Sequence, residues 1–134
     1  MQEGDVKMST AVLIMAHGSR IAEANDAARE VATMVQEMTG HEIVEVSFRE
    51  LHEPNIQQGI DTCVARGAKK ILLIPYFLFM GAHVRHDLPE EIEAAQKRHP
   101  GLEMVMGPHL GVHRKLAEIV SERISEGLTA AGWN

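Results

Sequence analysis

The chain has few of the features that mark disulfide-stabilised, membrane-spanning or nucleic-acid-binding proteins. It has one cysteine, Cys63, so no disulfide can form within it, and we expect a small buried apolar residue there. The apolar run at 71–82 contains Pro75 and is about half the roughly 20 residues that a membrane-spanning helix needs. The formal net charge is −6, whereas nucleic-acid-binding surfaces are basic. Aromatic residues make up only 4%, so the core is expected to consist of aliphatic residues and methionine.

The N-terminal residues lack the basic segment followed by an apolar one that marks a signal peptide. We therefore expect a cytoplasmic protein with neither a membrane nor a nucleic acid as partner. Hydrophobic content of 45% and charged content of 24% are ordinary for a globular protein. The length of 134 residues predicts one domain over 1–134, with a flexible tail at 1–8.

Four strand-like runs alternate with four helix-like runs, which predicts an α/β domain of three layers with a parallel sheet in the middle. The predicted strands span roughly 10–16, 43–48, 70–77 and 102–106. The predicted helices span roughly 22–39, 54–66, 87–98 and 112–129. Pro54 is expected in the first turn of the second helix, and Asp87 with Glu90 is expected to cap the third. In the fourth helix the apolar residues are spaced by four: Leu116, Val120, Ile124 and Leu128.

The strands differ in a way that predicts their order. The first and third are almost continuously apolar, as expected of central strands that are covered on both faces. The second alternates apolar and polar residues, and the fourth contains Glu103 between apolar residues, which suits edge strands. The predicted sheet order is therefore 2-1-3-4. With right-handed crossovers, ligands of such a sheet bind beyond the carboxyl ends of the first and third strands.

Two histidines lie near the carboxyl ends of the first and third predicted strands. His17 ends the first strand, and His83 follows the third. A pair of imidazoles facing one crevice can bind a divalent transition metal or transfer protons near neutral pH. Glu50, after the second strand, could supply a carboxylate for proton removal or metal delivery. Each of these residues, taken alone, is also compatible with an ordinary surface turn.

Six segments occur in an order and spacing typical of one family. They are Ala16-His17-Gly18-Ser19-Arg20, Phe48-Arg49-Glu50-Leu51 before Glu53-Pro54, Pro75-Tyr76-Phe77-Leu78-Phe79, Gly81-Ala82-His83, Asp87-Leu88-Pro89 and Gly107-Pro108-His109-Leu110-Gly111. Together they resemble the short sirohydrochlorin chelatases of the class II chelatases. The resemblance covers nearly the whole chain.

The resemblance implies a metal chelatase that inserts Co²⁺, or else Fe²⁺ or Ni²⁺, into sirohydrochlorin during sirohaem- or cobalamin-type tetrapyrrole biosynthesis. The metal is then a substrate, no cofactor is permanently bound, and the chain forms a homodimer. His17 and His83 would bind the metal and accept pyrrole protons, with Glu50 as a helper. Which of them accepts the proton, and whether Asp87 takes part, stay open.

The substrate of such an enzyme needs two kinds of contact. Phe79 and Met80 follow the third strand in a segment too apolar for an ordinary loop, and they could hold the flat face of the macrocycle. Its carboxylate rim needs donors, despite the net charge of −6. The expected donors are Ser19, Arg20, Arg49 and Arg85. One small domain offers a single wall for so large a ligand, and a second copy would supply the other.

Two other functions stay open on sequence. A histidine after the first strand also resembles sugar-transport phosphocarrier domains, although that function leaves His83 without a role. A non-catalytic carrier of metal or tetrapyrrole would use the same residues without turnover. His109 and His113 have the spacing of metal ligands on a helix, but Gly111 interrupts them. The physiological metal is expected to follow cellular supply, because intrinsic affinities share a common order.

Overall fold

A computed structural model describes residues 10–133 as four strands that alternate with four helices. The predicted tail at 1–8 lies outside the described residues. The strands are β1 (Thr10–Ala16), β2 (Val44–Phe48), β3 (Lys70–Pro75) and β4 (Glu103–Met106). The helices are α1 (Ala22–Thr39), α2 (Ile56–Ala65), α3 (Ala82–Arg98) and α4 (Arg114–Ala131). No helix within 10–133 is long and apolar enough to cross a membrane.

The sheet is parallel, and its order β2-β1-β3-β4 confirms the predicted order. β1 and β3 are neighbours, with Leu13 opposite Leu73, and both of these side chains are fully buried. At the edge, β4 has Glu103 and Val105 exposed and Met104 buried. β1 is buried on both faces, as its apolar sequence predicts, whereas β3 is fully buried on one face and has Leu72 and Ile74 half-buried on the other.

Helices cover the two faces of the sheet unequally. The face that we call the α2/α3 face carries most of the core, formed with Ile60 and Cys63 of α2 and with Leu88 and Ala95 of α3. The opposite face, here the α1 face, is covered by α1 through Ala28 and Ala32. Its buried strand residues are Val12, Ile14, Ala16, Val46 and Phe48. These residues belong to β1 and β2, so α1 shields one half of that face.

The predicted start of α3 was wrong. The helix begins at Ala82 with Gly81 as its N-cap, so Asp87 lies in the second turn and does not cap it. Pro89 lies inside the helix, where it can donate no backbone hydrogen bond to the preceding turn. The first turn of α3, which precedes the predicted start, is stabilised because apolar residues with helical spacing contact the core. These residues are Val84, Leu88 and Ile92.

α2 agrees with its predicted bounds to within two residues, but Pro54 does not lie in its first turn. Asn55 is the N-cap, and its side chain accepts a hydrogen bond of 2.9 Å from the backbone N–H of Gln58. The side chain of Gln58 accepts one of 2.7 Å from the N–H of Asn55, which completes a capping box. Pro54 precedes this cap, with a cis peptide bond from Glu53.

α4 agrees with its predicted bounds to within two residues, yet it packs on no strand or helix of the described chain to any appreciable extent. None of its residues is buried, and the predicted apolar stripe is open to solvent. Val120 is 58% exposed and Ile124 is 57% exposed. Most of the stability of helices in proteins comes from packing of an apolar face, and α4 has little such packing within residues 10–133.

Candidate functional site

The two predicted histidines lie at the carboxyl edge of the sheet. His17 directly follows β1, and His83 is the second residue of α3, a few residues beyond β3. Both side chains are exposed. No hydrogen bond, ion pair or ring contact within residues 10–133 joins the two rings. The ring of Phe77 meets that of His17 edge-on, with 6.0 Å between centroids.

Gly18 brings the loop after β2 against the turn after β1. Its φ is +96°, and a Cβ added there would lie 1.8 Å from the carbonyl oxygen of Glu50. The backbone N–H of Arg49 donates to the carbonyl of Ala16 at 2.9 Å, and that of Glu50 donates to the carbonyl of His17 at 3.2 Å. Only glycine has both the backbone freedom and the missing side chain that this approach requires.

The close approach lines up four charged or ionisable side chains. His17 Nε2 lies 3.2 Å from Glu50 Oε1. Arg49 then lies between two carboxylates, 3.7 Å from Glu50 Oε2 and 3.5 Å from Asp87 Oδ2. We call His17, Glu50, Arg49 and Asp87 the charged row. Because these side chains are partly exposed, the row contributes little stability. It does fix the direction in which Glu50 faces.

A cleft opens on each side of the charged row. One, of about 310 Å³, is lined by His17, Phe48, Tyr76 and small residues of α1. The other, of about 380 Å³, lies between α2 and α3 and is lined mainly by polar groups, among them Glu50 and Asp87. The His17–Glu50 pair stands between the two clefts, so a flat ligand over the edge of the sheet would meet both side chains.

The remaining predicted donors are spread around this edge. The Ser19 hydroxyl accepts a hydrogen bond of 3.0 Å from the backbone N–H of Ile21, which is the N-cap of α1. Arg20 is exposed next to it. Arg85 donates through Nε to the carbonyl of Met80 at 3.2 Å. Of the expected donors, Arg49 is the one that contacts Glu50, the carboxylate beside His17.

The apolar segment after β3 is divided between the core and solvent. Phe79 is 77% exposed, as expected for a residue that meets a ligand or a partner. Met80 packs in part against the core of the α2/α3 face. Together with Arg85 and His109 it also lines a separate cleft of about 370 Å³ beside the end of β4.

Sequence reasoning missed Asn25, which supports the turn after Gly18. Asn25 is 2% exposed. Its Oδ1 accepts a hydrogen bond of 3.0 Å from the backbone N–H of Ser19, and its Nδ2 donates one of 2.8 Å to the Ser19 carbonyl. An amide within the alanine-rich stripe of α1 was the signal, because a buried polar residue needs partners.

Histidines outside the pair have other surroundings. His86, Asp87 and Glu90 are exposed on α3, with one ligand atom from each within 4.8 Å of the others, and they form the single such group within residues 10–133. His86 lies just before the predicted start of the third helix at residue 87, whereas the structure places it within α3. His113 is the N-cap of α4, and its Nδ1 accepts a hydrogen bond of 3.0 Å from the backbone N–H of Lys115. That contact occupies one ring nitrogen.

Known proteins resemble this chain over most of its length. The CbiX family model matches residues 11–127. A sirohydrochlorin ferrochelatase of Priestia megaterium is 38% identical over 91% of this chain and 46% of its own length. A sirohydrochlorin cobaltochelatase of Methanopyrus kandleri is 32% identical over 88% of this chain and 96% of its own.

A crystal structure shares the fold. The sirohydrochlorin chelatase SirB from Bacillus subtilis subspecies spizizenii, in complex with cobalt, superposes with a TM-score of 0.81 at 34% identity. The alignment covers 89% of this chain and 51% of SirB. The chain thus spans about half the length of several relatives that it matches and nearly all the length of others.

Proposed function

The chain belongs to the CbiX family, and from this premise we propose that it is a chelatase that inserts a divalent metal ion into sirohydrochlorin. The observation that carries the proposal is the contact of 3.2 Å between His17 and Glu50 at the carboxyl edge of β1. The relatives include both ferrochelatases and cobaltochelatases. We therefore propose Co²⁺ or Fe²⁺ as the metal, with Ni²⁺ as a third candidate.

Metal insertion is also a proton transfer. Two N–H bonds of the macrocycle break as a divalent ion forms bonds to the ring nitrogens, so two protons must leave. His17 is exposed at the edge, and the Glu50 carboxylate beside its Nε2 would stabilise the positive charge that the ring gains with a proton. Arg49 holds Glu50 from the other side. We assign the proton acceptor to His17, with Glu50 as its partner.

His83 is better suited to the metal. Its exposed ring contacts no carboxylate in the described part of the chain, so a ring nitrogen is free to bind a divalent ion. One nitrogen atom cannot hold a proton and a metal together, which favours a division of labour. His83 would present the metal from one side of the substrate, and His17 would take protons.

Exposed side chains at the carboxyl edge of the sheet are the proposed contacts of the substrate. Phe79 and Arg20 project from the same edge into solvent, so they can reach the apolar face and the carboxylate rim of a bound macrocycle. The clefts beside the charged row are open on the outer side. We propose that a second copy of the chain closes this side, so that the working enzyme is a homodimer.

Anaerobic visible spectroscopy tests the function. Purified protein is mixed with sirohydrochlorin and Co²⁺, Fe²⁺ or Ni²⁺ in turn, and the rate of the spectral change is compared with that of the protein-free reaction. The proposal predicts acceleration with at least one metal. Binding of the pigment without acceleration by any metal would instead identify a carrier. The phosphocarrier alternative is not favoured, since the family match includes His83 as well as His17.

A further inference from the structure

Leu51 has a backbone conformation that leucine rarely adopts. Its φ is +65°, and within residues 10–133 it is the single residue other than glycine with a positive φ. In this left-handed region the Cβ atom crowds the following carbonyl oxygen, so the conformation costs free energy in a residue with a bulky side chain. Glycine or asparagine would occupy the position at a lower cost. A leucine here therefore needs a reason other than the path of the chain.

The loop that contains Leu51 is held on both sides of it. The backbone N–H of Phe48 donates to the Pro54 carbonyl at 2.8 Å, which closes the loop on the end of β2. Two more backbone hydrogen bonds tie its first half to the turn after β1. In its second half, the ring of His52 meets that of Phe48 edge-on, with 4.9 Å between centroids, and Arg29 lies 3.2 Å from His52 Nε2. These contacts can maintain the strained backbone at Leu51.

The strained residue contributes little to the packing of the fold. The side chain of Leu51 is 53% exposed, whereas stabilisation by an apolar side chain grows with the area that it removes from water. Strained backbone conformations occur mostly at active sites and ligand contacts, where the surrounding structure holds them. The combination of strain, exposure and an apolar side chain indicates that Leu51 contacts a ligand.

The position of Leu51 indicates which part of the ligand it meets. Leu51 directly follows Glu50, whose carboxylate lies 3.2 Å from His17 Nε2. Groups that remove protons from the macrocycle must come within hydrogen-bond reach of the ring nitrogens at its centre. Consecutive Cα atoms lie about 3.8 Å apart, and the pyrrole rings extend further than this from the centre. A side chain next to Glu50 therefore lies beneath the outer part of a bound macrocycle.

Two other loops present large apolar side chains at the same edge of the sheet. Ile21, before α1, is 63% exposed, and Phe79, after β3, is 77% exposed. Together with Leu51, they give one such side chain from the loop after each of the first three strands. Separate apolar side chains along one edge can support a planar apolar surface, which is what the face of a macrocycle offers.

We propose that Leu51 contacts the apolar face of the macrocycle as a substrate-binding residue. The strained backbone holds its side chain in place before the substrate arrives, so less freedom is lost on binding. Contact with an apolar face is the same before and during metal insertion, so it lowers Kd and KM and leaves kcat unchanged. The inference deepens the proposed function and rests on it.

Three replacements of Leu51 separate the role of the side chain from that of the backbone. Leu51→Asn keeps the approximate size, adopts the left-handed region readily and replaces the apolar group by an amide. Leu51→Gly removes the side chain, and Leu51→Met retains an apolar one. The Kd for metal-free sirohydrochlorin is measured by anaerobic titration of the visible absorption of the pigment. KM and kcat are measured with the preferred metal, and the free energy of unfolding is measured in urea.

The inference predicts a loss of affinity without a loss of stability. Leu51→Asn and Leu51→Gly should raise Kd and KM for sirohydrochlorin about tenfold and leave kcat within twofold of wild type. Leu51→Asn should be at least as stable as wild type, because the strain is relieved. Leu51→Met should keep Kd within threefold. Met38→Gln is the control, since Met38 is 81% exposed at the other end of α1, and it should change Kd less than twofold.

Several results would overturn the inference. Wild-type values of Kd and KM in both Leu51→Asn and Leu51→Gly would do so, as would a loss of stability in Leu51→Asn. A fall in kcat at unchanged KM would show instead that the loop had moved Glu50 away from His17. If Leu51→Asn weakened the homodimer in sedimentation and left the pigment affinity unchanged, Leu51 would contact the second copy, and the inference would be wrong.

The same measurements separate this inference from the proposed function. If wild type inserts metal while the Leu51 variants keep its Kd and KM, the chelatase proposal stands and the inference about Leu51 fails. If wild type binds the pigment but inserts no metal, the chelatase proposal fails. The shift in Kd would then still test the contact between Leu51 and the macrocycle.

Discussion

Replacement of Gly18 by alanine is expected to separate the two loops that form the site. The added Cβ would lie 1.8 Å from the Glu50 carbonyl oxygen, which belongs to the backbone and has little room to yield. The loop after β2 would have to move, and the contact between His17 and Glu50 would be lost with it. Metal insertion should fall together with stability.

The size of the effect follows from two contributions. A side chain at φ +96° costs about 1–3 kcal/mol in backbone strain. The overlap with Glu50 adds roughly 1–3 kcal/mol, as overpacking does elsewhere. The sum of about 2–6 kcal/mol is a large part of the 5–15 kcal/mol that typically holds a domain together.

Gly67→Ala is the matched control for this strain. Gly67 has φ +102° and open space where its Cβ would lie, so it carries the strain of about 1–3 kcal/mol without the overlap. Urea unfolding would measure both losses, and the initial rate of metal insertion would be compared in the two variants. If Gly18→Ala and Gly67→Ala lowered the free energy of unfolding equally, and Gly18→Ala kept full activity, the overlap at Gly18 would be refuted.

Three further predictions concern residues outside the site. Burial alone would raise the pKa of Asp61, but hydrogen bonds from His99 and Arg98 outweigh it and lower that pKa. Asp61→Asn should therefore lower the free energy of unfolding at pH 7. In urea-unfolding assays the difference from wild type should shrink as the pH falls below 4 and the carboxylate takes up a proton. Cys63 should react with a thiol reagent only after unfolding; rapid labelling of folded protein would contradict its burial. Leu88→Ala should lower the free energy of unfolding by about 2–5 kcal/mol in urea, and a loss below 1 kcal/mol would refute its place in the core.

The sheet order was predictable because the pattern of apolar and polar residues in each strand reflects how much of that strand is buried. The almost continuous apolar residues of β1 and β3 favour the centre of the sheet, and Glu103 in β4 favours an edge that is open to solvent. This contrast fixed the neighbours and placed His17 and His83 at one edge. The family resemblance gave the same two histidines, but their roles stay proposals.

The contacts within the site were less accessible from sequence. The pairing of Glu50 with His17 depends on the close approach of two loops at Gly18, which no local pattern reveals. The early start of α3 was hidden by Asp87 and Pro89, which look like a helix beginning, whereas core contacts from Val84 stabilise one more turn. Tertiary packing decided both outcomes.

The most direct test of the account compares histidine variants in metal insertion. Initial rates with sirohydrochlorin and the preferred metal would be measured for wild type, His17→Ala, His83→Ala and His41→Ala, the last lying before β2 at the far edge of the sheet. The account predicts a loss of at least 100-fold in the first two variants and a change below threefold in His41→Ala. Retention of the wild-type rate by either His17→Ala or His83→Ala would contradict the claim that the pair performs the reaction.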